Sequence, residues 1–364
     1  MKLRALVVDD TALYRRILSE ALQQLPDMEV AGTANNGKVA LDRATTLVPD
    51  LMTLDIEMPE MDGLAVLEAL KARGQEIGVI VVSALTRKGG DLTIRALEHG
   101  AFDFITKPAG GDPQTNLAAL RDALAPIVNA YRRRREIRDI LKSRPAVTVP
   151  PAISGAAPAP IAPARAAETG RADIVLIGVS TGGPVALAQM LPALPRRLAA
   201  PVLVVQHMPP LFTQSLAASL STKCALAVKE AEDGETALPG AVYLAPGGRH
   251  MKAEPGRHGE LVLRVSDDPP ENNCRPSVDY LFRSVANHFP GRAAAVIMTG
   301  MGNDGVLGLR LLKRHGCRVI AQDEASCIVF GMPGEAIKAG VVDVVAPLER
   351  LAEEIGRSVR TRPA

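Results

Sequence analysis

Residues 174–184 read Ile-Val-Leu-Ile-Gly-Val-Ser-Thr-Gly-Gly-Pro, and this stretch decides the fold class of the second half of the chain. A run of branched apolar residues, typical of a buried parallel strand, leads into G-x-S-x-G at Gly178, Ser180 and Gly182. Pro184 then opens a segment with helical spacing over 184–191, where a missing N–H does no harm because the first helical turn leaves it unpaired anyway. Strand, tight turn and helix make one unit of a parallel α/β sheet. The turn leaves the Ser180 hydroxyl at a helix N-terminus, where backbone N–H groups and the helix dipole favour negative charge. A glycine-rich phosphate-binding turn and a plain helix cap share this pattern, so the motif alone leaves three readings open.

Toward the C-terminus the alternation continues. Strand-like runs lie at 202–205, 225–228, 242–244, 261–265, 294–298 and 318–321, with helical patterns at 212–220, 278–287, 306–315 and 334–339. The segment between 242–244 and 261–265 is polar and rich in Gly and Pro, with no room for a crossover helix, so these two runs are expected to pair as an antiparallel hairpin. The expected architecture is a mostly parallel α/β domain over 172–355.

Toward the N-terminus, 145–167 is almost wholly Pro, Ala and other small residues, which cannot bury enough apolar surface to offset chain entropy. It reads as a linker. Before it, Arg132–Arg135 is a run of four like charges that fits a solvated helix end better than a nucleic-acid contact. From residue 1 to 125, strand-like runs at 3–8, 30–34, 51–54, 79–83 and 101–105 alternate with helical patterns at 13–25, 37–47, 63–72, 92–99 and from Thr115. Five strands, each followed by a helix, predict a doubly wound five-stranded parallel sheet of the flavodoxin-like kind. The division is therefore 1–125, a connector over 126–171, and 172–355.

Composition bounds the rest. A chain of 364 residues is too long for one ordinary core. Its 47% hydrophobic content suits packed domains, while a net charge of +2 argues against nucleic acid or an anionic membrane as the main partner. Cys224, Cys274, Cys317 and Cys327 are widely spaced without a C-x-x-C pair, so reduced thiols are expected rather than a zinc site or a disulfide framework. No apolar run approaches the length of a membrane span, and the N-terminus lacks a secretory signal, so a cytoplasmic protein is expected.

Functional groups of open α/β sheets gather at the carboxyl ends of strands. In the first domain Asp9 and Asp10 follow the first strand, Asp55 ends the third, Ser83 the fourth, and Lys107-Pro108 follows the fifth. Three carboxylates at one sheet edge repel unless a divalent cation neutralises them, and Mg2+ suits such a set. The set fits phosphoryl transfer, with Asp55 as nucleophile, Lys107 holding a phosphoryl oxygen and Ser83 hydrogen-bonding the group once it is attached. Each residue alone also fits a cap or turn.

In the second domain a serine nucleophile needs a base. Of six histidines only His207 and His250 lie just after predicted strands, and His207 follows the buried-type run ending at Gln206, at the same sheet edge as Ser180. The glycine-flanked loop 299–305 at another strand end delivers Asp304, which suits an orienting carboxylate and also an N-cap for the helix from Val306. The loop's backbone N–H groups, that of Met301 included, are oxyanion-hole candidates. Ser, His, Asp is not the α/β-hydrolase order, but a triad is defined by geometry.

Val7-Val8-Asp9-Asp10, Leu54-Asp55-Ile56-Glu57-Met58-Pro59, Ser83-Ala84 and Lys107-Pro108 resemble the motifs of two-component receiver domains. The resemblance implies phosphorylation of Asp55, Mg2+ held by Asp9, Asp10 and Asp55, and Phe104 as switch aromatic beside Ser83 and Lys107. Gly178–Pro184, Gln206-His207-Met208, Arg275-Pro276-Ser277-Val278-Asp279 and Thr299–Gly305 resemble the chemotaxis methylesterase (CheB) family. That resemblance implies a triad of Ser180, His207 and Asp304, a cleft that includes Thr181, Met301 and Arg275, and no cofactor in this half. It further implies hydrolysis of glutamyl γ-methyl esters and deamidation of glutamines on chemoreceptors, a histidine kinase as phosphodonor, and a receiver that covers the cleft until phosphorylated. A DNA-binding response regulator, a hydrolase acting on another methyl ester, and an adaptor with an idle site are the rival readings.

Overall fold

The computed structural model describes residues 2–108, 110–143 and 172–359. The expected linker at 145–167 lies outside them. The first domain runs β1 (Leu3–Val8), α1 (Ala12–Gln23), β2 (Met28–Ala34), α2 (Gly37–Leu47), β3 (Leu51–Asp55), α3 (Gly63–Ala72), β4 (Gly78–Ser83), α4 (Arg87–Glu98), β5 (Asp103–Thr106) and α5 (Pro113–Ser143). Its sheet has the order β2-β1-β3-β4-β5, all parallel. Every residue of β3 and β4 is buried, as strands covered by helices on both faces must be. Local capping agrees with the global fold: Asn36, Asp62 and Thr86 each accept a hydrogen bond from a backbone N–H in the first turn of α2, α3 and α4.

The helix expected from Thr115 continues through Pro126 to Ser143, past the 125/126 division. Its basic run is tied to the first domain. Arg132 donates to the Pro26 carbonyl at 2.6 Å, Arg135 pairs with Asp50, and the Arg134 guanidinium lies 5.8 Å from the Phe102 ring centre.

The second domain runs β6 (Ile174–Val179), α6 (Gly183–Met190), β7 (Val202–Gln206), α7 (Phe212–Ser221), β8 (Ala227–Glu230), β9 (Ala241–Leu244), β10 (His250–Pro255), β11 (Leu261–Ser266), α8 (Val278–His288), β12 (Ala293–Ile297), α9 (Val306–Arg314), β13 (Arg318–Gln322), α10 (Met332–Lys338), β14 (Val344–Ala346) and α11 (Leu348–Ser358). Seven strands form a parallel sheet in the order β14-β13-β12-β6-β7-β9-β8. The chain starts at β6 in the middle, builds one side, then returns to β12 to build the other. This puts a topological switch point beside the Ser180 turn.

The expected hairpin needs correction. β9 is a member of the parallel sheet, paired with β7 and β8, and the hairpin partner of β11 is β10, a strand absent from the sequence reading. Residues 250–255, His-Met-Lys-Ala-Glu-Pro, carry a weak apolar signal. The hairpin face they build is covered by α8, where the Ser284 hydroxyl accepts a hydrogen bond from the Ala253 N–H at 3.0 Å. None of the described helices is long and apolar enough to cross a membrane.

The two domains pack together. α4 lies against α7, and at Gly90 a Cβ would stand 2.8 Å from Ser215 Oγ, so glycine permits the close approach. Phe104 stacks on Phe212 with centroids 4.8 Å apart and planes 15° from parallel. Around them, Arg87 donates to Gln214, and Glu98 receives both Ser219 and Lys223. These bonds hold the Glu98 carboxyl below its ordinary pKa although burial works to raise it.

Candidate active site

Three adjacent strands deliver the three candidate catalytic residues: Ser180 after β6, His207 after β7 and Asp304 in the loop after β12. The Ser180 turn is built by close packing. A Cβ at Gly183 would lie 1.9 Å from Gln206 Oε1, and one at Gly300 would lie 2.8 Å from Ser180 Cβ. The Ser180 N–H donates to the Thr299 carbonyl at 3.0 Å, and the buried Gln206 amide donates to the carbonyls of Ser180 (2.9 Å) and His207 (3.2 Å). Gln206 thus ties the serine and histidine backbones together, a role the Gln-His-Met motif alone did not reveal.

His207 Nε2–H donates to Asp304 Oδ2 at 2.8 Å; a carboxylate only accepts, so the proton sits on Nε2. Asp304 is buried and saturated. It also accepts from Ser277 Oγ (2.9 Å), Asn272 Nδ2 (2.9 Å) and the backbone N–H groups of Val278 (2.7 Å), Asp279 (3.1 Å) and Gly305 (3.0 Å). The alternative role of Asp304 as N-cap for the helix from Val306 does not hold. Gly305 is that N-cap, and Asp304 instead caps α8 from across the fold. Burial works to raise the Asp304 pKa, but the bond and charge of His207 and the donors of Val278 and Asn272 outweigh it and hold it far below the carboxylate range. Burial likewise works to lower His207, but its bonds to Asp304 and Cys274 win and raise it to about 9.

Ser180 and His207 share the wall of a cavity of about 280 Å³. Ser180 Oγ is not hydrogen-bonded to His207 in this arrangement, and a candidate base is not ruled out by a long contact to its nucleophile. The opposite wall comes from the first domain, including Asp103, Phe104, Thr106 and Ile127. Thr181 bonds the Asp103 carboxyl, and burial pushes that carboxyl up to about 6 against the pull of the Phe104 N–H and Thr181. Met301 packs against the first domain's apolar core. Arg275 is exposed and donates to the carbonyls of Asp267 and Asp268 at 3.2 and 3.3 Å, so its guanidinium holds a loop. His250 is fully buried, stacked on Tyr280 with its Nε2 on the Pro269 carbonyl and its Nδ1 accepting from the Ser277 N–H at 3.3 Å, so it meets Asp304 only through Ser277.

In the first domain, Lys107 Nζ reaches Asp9 Oδ2 at 2.8 Å and Asp55 Oδ2 at 2.7 Å, under the Tyr14 ring. Asp9, Asp10 and Asp55 each place a carboxylate oxygen within 4.8 Å of the others, a hard-donor set of the kind Mg2+ takes. Burial and the neighbouring Asp9 raise the Asp55 pKa, and Lys107 only partly offsets them. Ser83 is buried at the rim with its hydroxyl on the Gly89 carbonyl at 3.2 Å, and Phe104 is engaged by Phe212.

Sequence reading missed Asn272, Ser277 and Gln206 as supports and Cys274 as a neighbour of His207. All four cysteines are unpaired, as expected, but Cys274 Sγ lies 3.7 Å from His207 Nδ1. A cysteine inside a polar loop carries no signal of its own, although its place directly before the Arg275–Asp279 motif was visible.

Comparison with known proteins identifies the family of each domain. Residues 5–120 match the response regulator receiver domain family and residues 175–355 the CheB methylesterase family. A protein-glutamate methylesterase/protein-glutamine glutaminase of Desulfotalea psychrophila is 51% identical, covering 98% of this chain and 99% of its own length. One from Halalkalibacterium halodurans is 44% identical over 99% of both chains. The crystal structure of the Thermotoga maritima CheB methylesterase catalytic domain matches with a TM-score of 0.50 at 44% identity, covering 52% of this chain and 99% of that one. Both domains thus match known families, the similarity runs along nearly the whole length of these relatives, and the chain belongs to the CheB family of protein-glutamate methylesterases/protein-glutamine glutaminases.

Proposed function

We propose that the chain, as a receiver over 1–125 and a hydrolase over 172–355, removes methyl groups from glutamyl γ-methyl esters of chemoreceptors and deamidates certain of their glutamines. Ser180 is the nucleophile, His207 the base and Asp304 the carboxylate that holds the ring. The observation that carries this reading is the His207–Asp304 bond of 2.8 Å set beside the Ser180 turn in one cavity.

With Nε2–H held by Asp304, Nδ1 is the nitrogen left to take the Ser180 proton. Ser180 Oγ bonds to the side-chain carbonyl carbon, and the tetrahedral oxyanion meets backbone N–H groups around Thr181 and Met301. The proton passes from His207 to the departing methoxide, or to the departing amine of a glutamine, leaving a glutamyl-enzyme. Water, deprotonated by His207, then breaks the Ser180 ester.

Control comes from the receiver, which walls the cavity through Asp103, Phe104 and Ala123. A chemotaxis histidine kinase is the phosphodonor, and Asp55 accepts the phosphoryl group. Asp9, Asp10 and Asp55 would hold Mg2+, which offsets charge on the phosphoryl oxygens when bound, while Lys107 pairs with another oxygen and Ser83 turns its hydroxyl toward the group. Movement of Phe104 off Phe212 couples this to the cleft. Arg275 serves by fixing the loop at the cleft rim.

The test is methanol release from methylated receptor membranes by native chain and Ser180→Ala, each with and without a small acyl phosphate. Release that requires Ser180 and rises with the phosphodonor is expected. Release by Ser180→Ala at the native rate would overturn the nucleophile assignment.

A further inference from the structure

The catalytic histidine faces a second soft donor that the ester chemistry does not use. We propose that His207 Nδ1 and Cys274 Sγ form a binding site for a thiophilic divalent cation of the Zn2+ class, and that its occupation switches the hydrolase off. The binding half stands on geometry alone; the inhibitory half rests on His207 acting as base, as proposed above.

Four observations support the site. Cys274 Sγ and His207 Nδ1 stand 3.7 Å apart. Zinc–sulfur and zinc–nitrogen bonds of about 2.3 and 2.0 Å meeting at a tetrahedral angle require a donor separation of roughly 3.5 Å, so the pair needs only a small rearrangement. The ring is already oriented for a metal, because Nε2–H is held by Asp304 Oδ2 in the carboxylate–histidine arrangement that metal sites use to fix tautomer and basicity. Asp304 cannot swing in as a direct ligand, since Ser277, Asn272 and three backbone N–H groups occupy it; its place is behind the histidine. Cys274 is also anchored, its N–H and carbonyl both exchanged with Glu271 at 2.9 and 3.1 Å.

Donor chemistry selects the ion. Thiolate and imidazole favour Zn2+ over Mg2+, whereas the three clustered carboxylates of Asp9, Asp10 and Asp55 favour the reverse. The chain therefore holds two cation sites of opposite softness, one at each domain's sheet edge. Both soft donors are only half-buried, so water completes the coordination. Two protein ligands bind less tightly than the four of a structural zinc site, which makes the occupation reversible. Binding releases the thiol proton, and the Nδ1 proton where the ring carries one, to solvent. The metal then occupies the lone pair that Ser180 needs.

Co2+ serves as the probe of binding in the full chain, and Zn2+ as the probe of inhibition. Native protein is expected to show a near-ultraviolet thiolate-to-cobalt charge-transfer band that Zn2+ displaces, that Cys274→Ser and Cys274→Ala both lose, and that Cys224→Ser keeps. Zn2+ is expected to suppress methanol release reversibly, a chelator to restore it, and Mg2+ in excess to leave it unchanged. Half-inhibition in Cys274→Ala should need about tenfold more Zn2+ or more, the scale on which ligand-shell losses are felt. Circular dichroism of both Cys274 variants separates loss of the site from loss of the fold. If native protein gives no band, or if the band survives in folded Cys274→Ala, the site is overturned. A Cys274-dependent band in a protein that releases no methanol would leave the site standing and remove the proposed hydrolase reading; Ser180-dependent release without a band would do the opposite.

Discussion

Asp55 and Asp304 are both buried carboxylates at the carboxyl edge of a parallel sheet, and each is bonded to a basic side chain, yet their acidities move in opposite directions. The difference lies in how many donors surround them. Asp304 collects six, from His207, Ser277, Asn272 and three backbone N–H groups. Asp55 has the Glu57 N–H at 3.3 Å and Lys107, which it shares with Asp9, and the negative charge of Asp9 works against it. A saturated carboxylate is a fixed support; an under-satisfied one suits the cation and phosphoryl group proposed for it. One architectural rule thus yields a rigid, saturated carboxylate beside His207 and an under-satisfied one beside Lys107.

The largest effect that could break this comparison is expected at Asp304. Asp304→Asn should lower methanol release by about 10⁴-fold, since the histidine loses its orienting partner. It should also destabilise the hydrolase by about 3 kcal/mol in denaturant melts, because the cap of α8 and a buried pair go with it. A stable, active Asp304→Asn would show the carboxylate to be incidental.

Asp55→Asn should behave oppositely. Stimulation by acyl phosphate should vanish, while the melting temperature holds or rises. The sign follows from a folded-state pKa raised above the ordinary 3.8: the ionised form costs stability at neutral pH, and the neutral isostere removes that cost. A fall in melting temperature like that of Asp304→Asn would erase the contrast.

A smaller effect should appear at the domain contact. Phe104→Ala removes a stacked ring, a contact worth about 1 kcal/mol beyond its buried area, so basal release should rise several-fold without phosphodonor. An unchanged basal rate would mean that the stack does not restrain the receiver.

The smallest is a pH effect at Asp103. Its carboxyl is raised to about 6 from 3.8 where it meets Thr181, so the closed contact favours the neutral acid. The contribution is complete below about pH 4 and lost as pH rises through about 6. Basal release, normalised to the phosphodonor-treated rate, should climb as pH rises from about 5 to 7. Asp103→Asn should flatten that climb, and an equal slope in both proteins would remove Asp103 from the switch.

Much of this was legible in the residues alone. Uninterrupted apolar runs such as 174–178 and 202–205 mark buried parallel strands because a strand covered on both faces has no polar side to show. Strand ends then locate Asp9, Asp55, Lys107, Ser180, His207 and Asp304 at two sheet edges, since every strand of a parallel sheet points the same way. Local sequence determines both sheets and the candidate chemistry for that reason. It cannot determine what crosses the fold. β10 was missed because the apolar cover of residues 250–255 comes from α8, and β9 was misassigned with it. Asp304 reads as the cap of the next helix but caps α8, and Cys274 meets His207 across 67 positions of sequence. Phe104 finds Phe212 in the other domain. These contacts depend on where whole elements dock, and only the packed tertiary structure, in which burial and saturation decide each group's charge, settles them.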